Sequence, residues 1–319
     1  MKEEQSEEAK QLILSLNMLM AHGRKLFVGL PHWKYLPIWM CPKWFKDLDS
    51  AFETMNAISR THIANAKENM TDLDTKPREE MSILEKLMSK NKDSAAATDD
   101  DLPSVMAEDG MMAGIDTTGN TLGFLLYHLA SNPEKQARLF SEIESVTKGS
   151  GDDGYITENQ INSMKYLKAC VQESMRILPV VLGSTRCATN DCVIGGYAVP
   201  KGTLIIQVGQ VISNEEKIFP NADKFIPERW LRTDPCSKKT HHPFASIPFS
   251  HGPRMCIGRR FATLEIYLAT VKLLKKYRLE YNHEEAIGSS TMFVNRPDKP
   301  LKISFRRRNS FFHAFPYEL

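Results

Sequence analysis

Cys256 is the residue with the most chemistry gathered around it. It lies in Pro248 to Ala262, PFSHGPRMCIGRRFA, between Gly252 and Gly258, with Phe249 seven residues before it and Arg254 two before it. Glycines let a backbone turn tightly through φ values that other residues avoid. After Gly258 the stretch RRFATLEIYLATVKLLKKY spaces Phe261, Leu264, Leu268, Val271 and Leu274 as a helix would, so the cysteine falls in a turn at a helix N-terminus. There the peptide dipoles and unpaired N–H groups favour thiolate over thiol. A thiolate held this way is a strong metal ligand, and a flat side chain such as Phe249 would shield it from water. A lone cysteine is more often a small buried hydrophobe. Against that stands the pattern F-x-x-G-x-R-x-C-x-G, with five fixed positions from Phe249 to Gly258.

Two further constellations carry chemistry. In MAGIDTTGNTLGFLLYHLA, the residues Gly114, Asp116, Thr117, Thr118 and Gly119 interrupt an otherwise apolar helix running from about Pro103 to Ser131. Glycine and paired threonines weaken a helix interior, and a local rule broken inside a long helix marks a functional site. The plainer reading is two hydroxyls bonding back to the carbonyls of a core helix. In MKYLKACVQESMRIL, stopped by Pro179, Glu173 and Arg176 are three apart and share a helix face. On a surface helix such a pair contributes little. Downstream, Pro227-Glu228-Arg229-Trp230 precedes the cysteine loop.

These motifs, in this order, resemble the cytochrome P-450 family. The resemblance implies a mainly α fold with a minor β region (α+β), and it makes Cys256 the proximal thiolate ligand of a haem iron. Thiolate ligation pushes electron density onto iron and favours O–O cleavage. By the same resemblance Arg254 and Arg186 meet the two haem propionates, a task suited to planar guanidinium donors, while Phe249, Gly252 and Gly258 shape the loop. Ala113-Gly114-x-Asp116-Thr117-Thr118 matches the family's oxygen-binding helix. Gly114 would leave room for O₂, and Asp116 with Thr117 would organise water and deliver protons. Glu173, Arg176 and Arg229 would form a buried network. Ala113, Val180, Val181, Leu182, Thr291, Met292 and Phe293 would line the substrate pocket, for which ordinary strand packing is the competing reading.

Arg259 and Arg260 after the loop, Lys168 on the E-x-x-R helix and the LPHWKYLP segment resemble the family's mitochondrial clan of animal enzymes. The clan takes electrons from a small acidic ferredoxin of adrenodoxin type, for which a basic face is a dock. A second lysine expected one turn after Lys168 is replaced by Gln172. The substrate class implied is steroid or sterol, an ecdysteroid-type precursor included, hydroxylated with O₂ at the matrix side of the mitochondrial inner membrane.

The elements that position these residues can be read in order. Glu3 to Phe27 has an apolar side through Leu12, Leu16, Leu19 and Phe27, with Gly23 as a weak point. Trp33, Tyr35, Leu36, Ile38, Trp39, Trp44 and Phe45 then crowd a segment broken by Pro31, Pro37 and Pro42, which cannot be a simple helix. Aromatics among basic residues suit either a membrane interface or a buried interhelix loop. Helices are expected over 46–70, over 79–90 and over 134–147, the last amphipathic through Ala137, Phe140 and Ile143. Thr157 and Gln160 form a capping box. The β-branched runs from Val180 to Val211, separated by Asn190-Asp191, Gly195-Gly196 and Lys201-Gly202, are hairpins.

Composition fits an enzyme core. The 319 residues are 42% hydrophobic, enough to bury a large core, and a net charge of +2 gives no case for nucleic acid as a general partner. Six cysteines lack paired C-x-x-C spacing, so neither a zinc site nor a secreted disulfide framework is expected. MKEEQSEEAK is acidic and polar, not a targeting peptide. The resemblance covers nearly the whole chain as one partial domain. Residues 1–101 supply pocket-roof helices and a membrane-facing loop, 102–178 run from the oxygen-binding helix to the E-x-x-R helix, 179–247 hold the β region and meander, and 248–319 hold the haem loop and C-terminal strands. The family's N-terminal strands and early helices have no counterpart, which implies a truncated chain. The expected function is therefore a haem-thiolate monooxygenase. The alternatives are an inactive truncated isoform that binds haem or ferredoxin without turnover, and a haem-independent interaction protein.

Overall fold

The computed structural model describes residues 7–26, 32–68, 102–148, 155–231, 242–291 and 294–308, together with Pro77, Glu80, Met81, Glu85 and Lys86. It divides into two compact units, residues 1–116 and 117–319.

The first unit is built on a helix pair. Helix α1 (Glu7–Gly23) buries Ser15, Leu16, Leu19 and Met20. It packs on α2 (Lys43–Glu68), whose Leu48, Ala51, Met55, Ser59 and Ile63 recur every three or four residues and are buried. Gly23 ends α1, and a 3₁₀ turn, Arg24–Leu26, follows; Phe27 lies outside the described residues. The proline-broken segment forms two more 3₁₀ turns, His32–Lys34 and Ile38–Met40. Its aromatics divide. Trp33 lies edge-on to Trp44 and stacks on Phe45, whereas Tyr35 and Trp39 are 82% and 72% exposed. The helix expected over 79–90 falls almost wholly outside the described residues, of which only Glu85 and Lys86 are helical.

Helix α3 (Leu102–Ser131) begins in the first unit and ends in the second. Pro133 occupies the first turn of α4 (Pro133–Thr147), where its missing N–H costs nothing. The buried face of α4 is Gln136, Leu139, Ile143 and Thr147, and Ala137 is exposed, one position off the stripe expected from Ala137, Phe140 and Ile143. Gln136 takes the inner place because its amide is fully used. Its Nε2 donates to the carbonyls of Leu129 (3.0 Å) and Leu279 (2.9 Å), and its Oε1 accepts from the Leu279 N–H (2.9 Å). One side chain thereby ties the end of α3 to a distant strand.

The capping box forms as expected at α5 (Glu158–Ser163): Thr157 Oγ1 accepts from the Gln160 N–H, and Gln160 Oε1 accepts from the Thr157 N–H. Helix α6 (Lys165–Ile177) is capped by another helix, since the Glu142 carboxylate accepts from the Tyr166 and Leu167 N–H groups at 2.8 and 2.9 Å.

The β region follows as β1 (Gly183–Cys187), β2 (Cys192–Ile194), β3 (Tyr197–Val199) and β4 (Leu204–Val208), with β1 antiparallel to β4 and β2 to β3. A Cβ at Gly183 would lie 1.7 Å from the Gln207 carbonyl oxygen, so only glycine fits where these strands cross. A short helix, α7 (Gly209–Ser213), leads to a meander with a 3₁₀ turn at Pro227–Trp230. After the cysteine loop come α8 (Arg259–Lys276) and β5 (Tyr277–Glu280), then β6 (Ser289–Thr291), β7 (Asn295–Pro297) and β8 (Ser304–Arg307). Strand β5 pairs with β8 and β6 with β7, all antiparallel. The expected class, mainly α with minor β, is what the chain adopts.

One core gathers α3, α4, α6, α8 and β5 around Leu125, Leu129, Leu139, Ile143, Leu167, Val171, Ile266 and Leu274. Here α8 departs from its sequence pattern. Its buried residues are Ile266, Thr270, Val271 and Leu274, while Phe261 and Leu264 are exposed. Among the described residues no helix is long and apolar enough to cross a membrane.

Replacing Gln136 with Leu strands three buried backbone groups at a cost of about 1–3 kcal/mol each. The expected result is a denaturant midpoint well below wild type. A midpoint within error of wild type would remove Gln136 from the core's bonding.

Candidate functional site

The cysteine loop is a chain of tight turns. Gly252 opens the 3₁₀ turn Gly252–Arg254 with φ +79°, a conformation glycine adopts freely, and Ser250 sits at φ 59° without that freedom. The Cys256 N–H donates to the Phe249 carbonyl at 3.0 Å, folding the loop back on itself. Gly258 does not need positive φ; it is the N-cap of α8 at φ −81°, and a Cβ there would meet Cys256 Sγ at an ordinary 3.9 Å. Of the two glycines read as enabling unusual backbone, only Gly252 does so. Phe249 packs against the core, with the Arg259 guanidinium 6.0 Å from its ring centroid.

Cys256 lines a cavity of about 290 Å³ in the second unit. Ile247, Pro248, Phe249 and Arg254 of the loop line it with Ala262 and Ile266 of α8, Thr117, Thr118 and Thr121 of α3, and the stretch from Pro179 to Ser184. Cys256 and three threonines of α3 therefore line one mostly apolar chamber. The Thr121 hydroxyl donates back to the Thr117 carbonyl at 2.7 Å. Asp116, Gly114 and Ala113 lie within one turn before Thr117 on α3, in the first unit. At Gly114 an added Cβ would meet no described atom within 4 Å.

Val180, Val181 and Leu182 line the cavity. Thr291 does not; its hydroxyl turns to Asn295 Oδ1 at 2.7 Å. Met292 and Phe293 lie outside the described residues. Arg186 is exposed on β1, two residues beyond the cavity-lining Ser184 and so on the same strand face, with its Nη1 donating to the Thr185 carbonyl. Met175, Gln207, Gln210 and Ser213 also line the chamber, and nothing in their sequence context marked them.

Beside the chamber lies the charged network. Glu173 and Arg176 side chains have no exposed surface. Glu173 Oε1 accepts from Arg176 Nη2 (2.9 Å), Arg229 Nε (3.1 Å) and the Ile226 N–H (3.1 Å), and Oε2 accepts from Arg176 Nε and Trp230 Nε1, each at 2.9 Å. Arg176 also donates to the carbonyls of Ser213 and Ala222. The sequence pointed to the ion triad; the Trp230 and backbone donors that complete it carry no spacing signal. Glu228, next to Arg229, points the other way and accepts from Tyr166 OH (2.8 Å) and Arg138 Nη1 (2.9 Å). Burial acts to raise its carboxyl pKa, yet its own backbone N–H, Tyr166 and Lys135 outweigh this and hold it below the usual range. Lys168, on α6, donates to Asn162, while Arg259 and Arg260 open α8.

Sequence reasoning did not find His128. It is buried, shares a hydrogen bond with Ser174 Oγ (3.0 Å) and stacks on Phe225. Burial first, and the Arg176 charge second, lower its pKa to about 3.

One sulfur cannot complete a metal's coordination, so a metal held by Cys256 would bring its remaining donors with it, as a porphyrin does. The chamber suits such a group: a soft ligand on an exposed loop, apolar walls and a guanidinium, Arg254, at the lining. An exposed cysteine on a tight loop and three α3 threonines line one apolar cavity, beside a buried Glu–Arg–Arg network. The sequence matches the cytochrome P450 family model over residues 1–305, and the chain belongs to that family, whose members are monooxygenases that bind haem through a cysteine thiolate.

The probable mitochondrial cytochrome P450 12a5 of Drosophila melanogaster is 36% identical over 306 residues, 93% of this chain and 55% of its own length. Probable cytochrome P450 49a1 of the same species is 35% identical over 96% of this chain and 51% of its own length. Cytochrome P450 CYP12A2 of Musca domestica is 36% identical over 86% and 51%. The chain thus spans about half the length of the curated relatives it matches.

The His128 shift has a sign that can be checked. With a folded pKa of about 3 against 6.5 unfolded, acidification below pH 6.5 protonates the unfolded chain first, so stability is full above that pH and falls below it. One such site gives about 1.4 kcal/mol per pH unit between roughly pH 6 and 4. Denaturant unfolding at pH 7, 6 and 5 is expected to show His128→Gln with a slope flatter by that amount; parallel slopes would refute the buried neutral imidazole.

Proposed function

We propose that the chain serves as a haem-thiolate monooxygenase, hydroxylating a lipophilic steroid or sterol, an ecdysteroid-type precursor being one candidate, with electrons from an adrenodoxin-type ferredoxin. The observation that carries this reading is the sharing of one apolar chamber by Cys256 and the threonines of α3. Bound there, the haem supplies the redox chemistry: a substrate C–H becomes C–OH, the second oxygen atom leaves as water, and two electrons and two protons are consumed.

The chain's own residues have separable tasks. Cys256 is the metal ligand, held by its N–H bond to Phe249, while Phe249, Gly252 and Gly258 fix the loop. Arg254 and Arg186 pair with the propionates. Thr117 and Asp116 hold and pass protons, and Gly114 leaves space beside them. Val180, Val181 and Leu182 form the substrate wall. Glu173, Arg176 and Arg229 hold the frame.

Lys168, Arg259 and Arg260 form the docking face for the acidic ferredoxin. Several relatives are named mitochondrial, which supports a mitochondrial location, here proposed as the matrix side of the inner membrane. Exposed Tyr35 and Trp39 are suited to contact with lipid at that surface.

The decisive experiment is the reduced, carbon-monoxide-bound absorption spectrum of the chain expressed with haem precursor. A strongly red-shifted Soret band is expected for wild type and none for Cys256→Ala; a variant that kept the band would sink the ligand assignment. A normal band without turnover of any sterol would favour the isoform that binds haem without catalysis. Charge reversal at Arg259 and Arg260 should weaken ferredoxin binding several-fold at low salt and less at high salt. Equal affinity at low salt would dismiss the dock.

A further inference from the structure

Asn295 has no exposed surface, and its backbone N–H and both side-chain polar atoms are hydrogen-bonded. Its backbone N–H donates to the Val180 carbonyl at 2.7 Å. Its Nδ2 donates to the Pro179 carbonyl at 2.8 Å and lies 3.3 Å from Gln210 Oε1, and its Oδ1 accepts from the Thr291 hydroxyl at 2.7 Å. Pro179, Val180 and Gln210 all line the cavity, while Asn295 itself does not. Gln210 closes a second loop, because its own N–H donates to the Leu182 carbonyl at 3.1 Å. Two successive wall carbonyls are thus held directly by one asparagine and a third through its neighbour. These carbonyls belong to a stretch between α6 and β1 that has no helix or ladder to hold it.

We infer that Asn295 is a positioning residue that sets the wall of the cavity at Pro179 to Leu182, and with it the size of ligand the chamber accepts. The inference rests on reading that cavity as a ligand pocket. Only an amide serves this site, since a donor is needed toward Pro179 and an acceptor toward Thr291. An aliphatic residue would leave the Pro179 carbonyl buried and unpaired. The wall would then sample positions that the native bonds forbid, and bulky ligands would gain on compact ones.

The test is amide hydrogen exchange on the full chain for wild type, Asn295→Ala and the milder Thr291→Val, which removes only the hydroxyl donor. Loss of a buried bond of this kind is expected to speed exchange about tenfold in Asn295→Ala at Gln210 and residue 295, whose N–H groups bond to the wall carbonyls of Leu182 and Val180. A smaller rise is expected in Thr291→Val, and none at Val171 or Met175 in α6. Unchanged exchange at the wall, or an equal rise throughout α6, would overturn the inference; if Asn295→Ala does not fold, the Thr291→Val pattern decides it alone.

A second readout, on chain reconstituted with haem, is the ratio of dissociation constants for imidazole and a bulky N-aryl imidazole. That ratio is expected to shift several-fold toward the bulky probe in Asn295→Ala. An unshifted ratio with both probes bound would overturn the control of ligand size. Faster wall exchange in a chain that binds neither probe would leave the positioning intact and remove the pocket reading instead.

Discussion

A fully buried carboxylate is the constraint from which the rest of the second unit follows. Glu173 cannot sit in the core as a bare charge, because desolvation would cost several kcal/mol. Its two oxygens therefore collect five donors, from Arg176, Arg229, Trp230 and the Ile226 backbone. Each donor comes with a position for its segment. Arg176 carries the contact onward to Ser213 at the end of α7 and to Ala222 in the meander, so one ion group fixes a helix, a short helix and an irregular stretch against each other. An irregular chain has no ladder of its own; here charge-assisted bonds replace it. Glu228 extends the frame the other way, toward α4 and α6.

The cysteine loop depends on that frame for its surroundings and on local geometry for its shape. The N–H bond from Cys256 to Phe249 and the left-handed residues at 250 and 252 close the loop within a few residues. Part of the rest of the cavity lining comes from α3, whose threonines interrupt an apolar helix there. A hydroxyl pair there is costly for helix stability and gains nothing for the core.

Legibility in the sequence tracked the range of the interactions. The cysteine loop, the capping box and the Glu–Arg pair are local, with residues three to seven apart, so spacing revealed them. The link from Glu173 to Arg229 spans the meander and was legible only through a familiar motif order. Apolar periodicity was weaker evidence. On α8 it selected Phe261 and Leu264, which are exposed, because the start of that helix faces the loop and not the core, and Thr270 is buried instead with its hydroxyl donating to the Ile266 carbonyl. On α4 it selected Ala137 over Gln136, because a fully bonded amide can outcompete a methyl for a core position. Thr291 was read as pocket lining, yet its hydroxyl is drawn to Asn295. Buried neutral polar groups such as Gln136, His128 and Asn295 leave no signature, since each takes at least one partner more than 40 residues away along the chain.

The frame and the wall use different currencies of attachment, and that difference has a consequence for evolution of the site. Breaking the buried ion group costs about 3–5 kcal/mol, because one removed partner leaves a bare charge. Such a loss is comparable to the whole stability of many domains, so substitutions there are purged regardless of what the pocket binds. The wall from Pro179 to Leu182 is held by neutral amide bonds, each worth about 1–3 kcal/mol when broken in a buried setting. A chain can survive a change of that size. Substitutions that reshape the chamber therefore fall most readily on its neutral fastenings, leaving the cysteine loop and the charged frame where they are.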